Sequence, residues 1–397
     1  MEETFFRDKV EGMLLCGAYG DALGAPHELA GLQGGVTDPT GIYKLSFGKN
    51  FYHDPQPNQW NVWPPPDLVS DFCGIVTDDT AYRISIFHEF LRDALSRGEI
   101  FTEARFREWM RGPGKSLHQG ERPDWFLECR NAQIDHWLEM FAAREKNEEA
   151  VFFIPDIPIV FGIFLYQELG VLFPGKPSPL IYSIFRNLCK LDQSYAGVIT
   201  GLTNTLMAAA MGVERPERQS FADWFRDSAA ELLAEVGQLA GESEDGEFIT
   251  RLKNITSEMQ KLGGDLQNAS ELNFVTELKH RVYDHSDWFN PRLKNFDPLL
   301  LWMQMVAATA YGGSDPICAL RVLAASAGDA DTVPSVLGSL IGTYYGLREM
   351  FSLRSLDLRF GDELMKVQDY LNTLLGVNLL EESELFWKAY QLQNGLA

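Results

Sequence analysis

Glycine is a poor choice inside an apolar helix, and this chain places it there repeatedly. Residues 333–346, VPSVLGSLIGTYYG, carry Gly338, Gly342 and Gly346 at intervals of four, which puts them on one helical face. Residues 17–24, GAYGDALG, carry Gly17, Gly20 and Gly24 within an apolar helical pattern. Each glycine costs roughly 1 kcal/mol of helix stability against alanine. A bare face lets two helix backbones approach more closely than side chains permit. Both stretches therefore predict helices in tight contact with others. No run approaches the ~18 apolar residues of a membrane span, so these are expected as buried helices of a water-soluble core.

The rest of the sequence has the same helical texture. Apolar positions recur at three- and four-residue spacing over 7–24, 77–98, 100–111, 131–145, 196–212, 220–240, 247–262, 298–311, 316–326, 333–350 and 361–375. Only 40–52 and 151–165 invite a strand reading. The expected fold class is all-α, one compact many-helix domain over residues 1–397. Residues 33–74, rich in proline and glycine and including Pro64-Pro65-Pro66, read as a loop insertion of the kind that forms lids or binding loops. Residues 240–290 open with the acidic turn GESEDGEF and read as a polar helical insertion, a solvated appendage.

Charge narrows the function. With 34 Lys+Arg against 56 Asp+Glu, the formal net charge is −22. Phosphate backbones and anionic membrane surfaces are held mainly by Lys and Arg, so neither a nucleic-acid nor a membrane partner is expected. A small anionic ligand would need a local positive charge, for which a divalent metal is the obvious source. Cys16, Cys73, Cys129, Cys189 and Cys318 are odd in number and dispersed, and the N-terminus has no apolar leader. A reduced, cytoplasmic protein is expected.

Three segments concentrate candidate chemistry. Thr77-Asp78-Asp79-Thr80 stands where a helix should begin, with Thr77 as N-cap and two carboxylates in the first turn. Asp329, Asp331 and Thr332 of GDADT stand at the start of another helix, with Pro334 in its first turn. Glu28 lies just past the glycines of the first helix. Glu28, Asp78, Asp79, Asp329 and Asp331 with the threonines make an oxygen-only donor set, which suits Mg²⁺, Mn²⁺ or Ca²⁺. GPGKS at 112–116 lacks the first glycine of a P-loop. The DxDxT pattern at 329–332 has no apolar strand before it and leaves TDDT unexplained.

Taken in order, GAYGDALGAPHE at 17–28, TDDT at 77–80 and GDADT at 328–332 leading into GSLIGTYYG resemble the motifs of the ADP-ribosylglycohydrolase family. The resemblance covers about 8–28, 74–97 and 316–347. It implies an all-helical orthogonal bundle with two Mg²⁺ ions, or Mn²⁺ in their place. Thr77, Asp78 and Asp79 would hold the metals from one side, and Asp329, Asp331 and Thr332 from the other. Glu28, Asp78 and Asp331 would be catalytic, and Asp21 structural at the helix contact. The activity implied is hydrolysis of the glycosidic bond between ADP-ribose and a modified protein side chain, arginine first. A small ADP-ribosyl compound is an alternative substrate. A non-catalytic protein that binds and blocks a partner, such as an ADP-ribosylating toxin, is a further alternative. The segments at 155–162 and 190–193 depart from the family pattern that lines the substrate cleft, which bears on substrate identity more than on metal binding.

Overall fold

The structure is a computed structural model that describes residues 1–28, 31, 34–39, 72–112, 135, 167–175, 178, 182, 196–214, 216–241, 244–285, 287, 295, 297–353 and 360–396. The stretches at 40–52 and 151–165, the body of the 33–74 insertion, the helix expected at 131–145 and the departures at 155–162 and 190–193 lie outside the described residues.

Two helices form the axis of the fold. Helix α1 (Glu3–Gly24) is apolar around most of its circumference, and nearly every residue after Val10 is buried. Such a helix must be surrounded by others. Along one side of it runs the segment that ends the GDADT motif, a helix over Thr332–Tyr345, itself buried from Thr332 to Tyr344. The two run antiparallel, and glycine sets their spacing. A Cβ added to Gly12, Gly20 or Gly24 would fall within 3.0 Å of backbone atoms of Gly342, Pro334 or Ala330. One added to Gly338 or Gly342 would meet the carbonyls of Cys16 or Gly12 in the same way. The expectation of tight helix contacts is met by these two helices facing each other. Gly346 serves differently: at φ +80 it ends the second helix.

The remaining helices follow in chain order. Asp78–Tyr82 (α2) continues through a π-helical turn at Arg83–His88 into Glu89–Ser96 (α3), and Glu103–Arg111 is α4. Ala196–Met211 is α5, Phe221–Ala240 α6, Glu244–Asp265 α7 and Glu271–Asp284 α8. Pro298–Gly312 is α9, Pro316–Ala324 α10, and Thr332–Tyr345, described above, is α11. Leu347–Ser352 (α12), Phe360–Leu374 (α13) and Leu379–Gln393 (α14) complete it. No described residue lies in an extended strand, and the chain is all-α as expected. No described helix is long and apolar enough to cross a membrane.

Aromatic rings seat the outer helices on the axis: Phe6 packs on Trp387 and Tyr390 of α14, and Tyr19 on Phe360 of α13. At the far end of the axis the buried Lys9 ammonium donates to the carbonyls of Tyr344 (2.6 Å), Thr343 (3.0 Å) and Ala210 (3.3 Å). It thus satisfies the terminal carbonyls of α5 and α11, where the helix dipoles favour a cation.

The 240–290 region is not wholly solvated. Ile249, Leu252, Ile255 and Met259 of α7 and Phe274, Val275, Leu278 and Val282 of α8 are buried, and Thr256 accepts a hydrogen bond from the Trp302 indole of α9 (2.9 Å). Its many polar residues occupy the outer faces of two amphipathic helices.

The glycine contact gives a direct test. Gly342→Ala should cost about 3 kcal/mol through overpacking. Gly264→Ala, in α7 and with nothing within 4 Å of an added Cβ, should instead gain about 0.5–1 kcal/mol. Urea unfolding midpoints of the two variants should move in opposite directions.

Candidate active site

The first turn of a helix leaves amide groups without intrahelical partners. At α2 the expected cap, Thr77, makes no side-chain bond to its own helix. Asp21, reaching across from α1, takes that role. Its carboxylate accepts from the Thr77 amide (2.9 Å) and the Thr80 amide (3.1 Å), and from the hydroxyls of Thr77 (2.7 Å) and Thr80 (2.6 Å). Asp21 is fully buried, and burial followed by the charge of Asp331 pushes its carboxyl up to about 6.

The second motif is built on Gly328, whose φ of +109 is a conformation side chains rarely adopt. Gln304 of α9 donates to the carbonyl of Ala327 beside it, and the Gly328 amide donates to Gly31 (2.8 Å). Asp331 then caps α11, accepting from the Thr332 amide (2.9 Å).

The two motifs are joined by reciprocal hydrogen bonds. Thr77 Oγ1 shares its one proton between Asp21 Oδ1 and, across the motifs, Asp331 Oδ2 (3.0 Å), and Thr332 Oγ1 in return shares its own between both carboxylate oxygens of Asp79 (3.0 Å each). Residues about 250 positions apart are thereby drawn into one buried cluster. Oxygen atoms of Asp21, Asp79 and Asp331 lie within 4.8 Å of one another, as do those of Glu28, Asp329 and Asp331. Asp331 belongs to both trios. Glu28, directly after the short 3₁₀ turn Ala25–His27, is buried with them. The backbone of Asp78 opens α2, while its side chain lies outside the described part of the structure.

This donor set fits hard cations. Five buried carboxylates close together are costly without opposing charge. The Thr77 hydroxyl stands between carboxylate oxygens of Asp21 and Asp331 with only one proton to give. A cation would stabilise such a cluster, and every donor is oxygen, the preference of Mg²⁺ and Mn²⁺.

Beneath the cluster lies a buried charge network that sequence reasoning missed. Arg83, on the π-helical turn, faces Glu168 Oε1 (3.4 Å). Glu168 Oε2 meets His88 Nε2 (2.7 Å), and His88 Nδ1 meets Glu382 Oε2 (2.9 Å). Glu382 also pairs with Arg92. Both ring nitrogens of His88 face carboxylates, an arrangement only the imidazolium satisfies with two donated hydrogen bonds. His88 is fully buried, which gives it a structural place.

A family model of ADP-ribosylglycohydrolases matches residues 2–378. The chain belongs to the ADP-ribosylglycohydrolase family, a family of hydrolases. A search of curated proteins finds no match. Among solved structures, one described as an ADP-ribosylglycohydrolase-related protein complex is similar at 18% identity and a TM-score of 0.46, covering 99% of this chain and 100% of that one.

The network also sets a pH dependence. Burial alone would lower the His88 pKa, but Glu168 and Glu382 outweigh it and raise it to about 9. Burial alone would raise Glu382, but His88 and Arg92 hold it down to about 2. The Glu382 contribution is full above its ordinary 4.5 and is lost as pH falls toward 2. The His88 contribution is full below 6.5 and is lost as pH rises through 9. The network's own contribution, read as the difference in melting temperature between wild type and His88→Gln, should therefore be greatest between pH 4.5 and 6.5 and shrink on both sides.

Proposed function

We propose that this chain is a binuclear-metal hydrolase of the bond joining ADP-ribose to a modified protein side chain, with arginine the first substrate to try. On this reading it reverses ADP-ribosylation in the cytoplasm. The observation that carries the reading is the reciprocal Thr77–Asp331 and Thr332–Asp79 pairing, which gathers the acids of two distant motifs into one oxygen-lined centre. The proposal treats residues 1–397 as one catalytic domain, with insertions at about 33–74 and 240–290.

Asp331 is the central ligand, since it belongs to both acidic trios. Asp329 would complete one position, with Glu28 beside it as a proton carrier; Asp79, with Thr77, Asp78 and Thr332, would serve the other. Asp21 spends its lone pairs on Thr77 and Thr80, so it holds the ligand-bearing turn in place. Divalent cations supply Lewis acidity, orientation and a lowered pKa for water. Cleavage at an anomeric carbon develops positive character on the sugar, which Asp78 and Asp331 oppose with negative charge. Glu28 is the proton-transfer group: it takes a proton from the attacking water or returns one to the departing atom.

Metal removal and substitution test this together. EDTA should abolish hydrolysis of ADP-ribosylated protein, and Mg²⁺ or Mn²⁺ should restore it. Asp331→Asn should lose activity while its circular dichroism and melting remain those of a folded protein; full activity in that variant would sink the site assignment. Release of product from ADP-ribosyl-arginine protein, set against small ADP-ribosyl compounds, assigns the substrate.

A further inference from the structure

Arg83 lies one helical turn beyond Asp79, and all five of its N–H groups have acceptors in view. Nε donates to the Asp79 carbonyl (3.0 Å). Nη1 donates to Ser339 Oγ (2.9 Å) and faces Glu168 Oε1 (3.4 Å). Nη2 donates to Ser335 Oγ (3.0 Å) and approaches Thr80 Oγ1 (3.3 Å). The residues it joins fall into two groups. Asp79 and Thr80 belong to α2, whereas Ser335 and Ser339 lie one and two turns along α11 from Asp331.

The π-helical turn at Arg83–His88 explains how this guanidinium is held. In an α-helix, side chains five residues apart point about 140° away from each other. A π-turn closes on i+5 and brings such a pair round to one side. The two oxygens of Glu168 can then take Arg83 and His88 at once, and His88 is in turn backed by Glu382. Arg83, Glu168, His88 and Glu382 alternate in sign, so each buried charge has an opposite neighbour, the condition under which burial is tolerable.

We propose that Arg83 is a positioning residue, which clamps α2 against α11 and so fixes the separation of Asp79 and Asp331, with Glu168, His88 and Glu382 holding it in register. The inference rests on the metal-centre reading above and extends it to residues that touch neither ion nor substrate. Lysine keeps the charge but not the planar five-donor fork, so Arg83→Lys separates geometry from charge.

The test is Mn²⁺ binding by calorimetry on wild type, Arg83→Lys and Glu168→Gln, with steady-state kinetics beside it. Both variants should bind Mn²⁺ about 10–100-fold more weakly, the usual effect of losing a group that orients a ligand. Their kcat should fall while the substrate KM stays near that of wild type. Folded variants with wild-type Mn²⁺ affinity, whatever their melting temperature, overturn the inference. If either variant fails to fold, the Ser335→Ala, Ser339→Ala double variant decides, since it removes two of the acceptors and no charge: weakened Mn²⁺ binding supports the clamp, and unchanged binding overturns it. Wild-type protein that takes up no Mn²⁺ overturns the metal reading first and this one with it; wild-type uptake with unaltered variants overturns this one alone.

Discussion

The backbone-to-backbone contact of α1 with α11 is the constraint from which the rest of the molecule follows. Because glycines let the two helices touch without intervening side chains, the end of α1 and the start of α11 are forced together. Asp21 and Glu28 arrive from one, and Asp329, Asp331 and Thr332 from the other. A wider separation would part Asp21 from Asp331, whose carboxylate oxygens lie within 4.8 Å of each other. The close contact gives up helix propensity at each glycine and regains it in a fixed relation between polar groups that would otherwise be costly to bury.

Electrostatics then divides into two layers. The upper layer is acidic, and the hydroxyls of Thr77 and Thr332 link its two motifs. The lower layer alternates in sign from Arg83 through Glu168 and His88 to Glu382 and Arg92. The overall charge of −22 is therefore a poor guide to the interior. What matters locally is that the alternating layer adjoins the acidic one and shares Thr80 and the Asp79 carbonyl with it.

The parts legible in the sequence were those carried by local pattern. Helical periodicity placed most of the described helices within a few residues, and glycine spacing announced the axial contact. The two acid-threonine motifs stood at helix starts, where short polar side chains are favoured. Other parts depended on partners remote in the chain. Thr77 looked like the cap of its own helix, but Asp21, 56 residues away, fills that place. Helix α8 was read only as part of a polar helical insertion, and α14 went unread although Leu379, Leu385, Phe386 and Tyr390 lie on its buried side. The π-helical turn and the pairing of His88 with Glu168 and Glu382 leave no local trace, for those contacts span 80 and 294 residues. The 240–290 stretch misled by its polar count, which describes only the outer faces of α7 and α8.

The axial contact also constrains how the protein can be made. Helix α1 is synthesised more than 300 residues before the segment that covers it; Lys9 alone must wait for Tyr344, 335 positions away. Contacts of such separation form slowly and leave apolar surface open in the interval. The nascent chain therefore carries α1 without its antiparallel partner until α11 has emerged, so that the two halves of the axis can meet only late in synthesis.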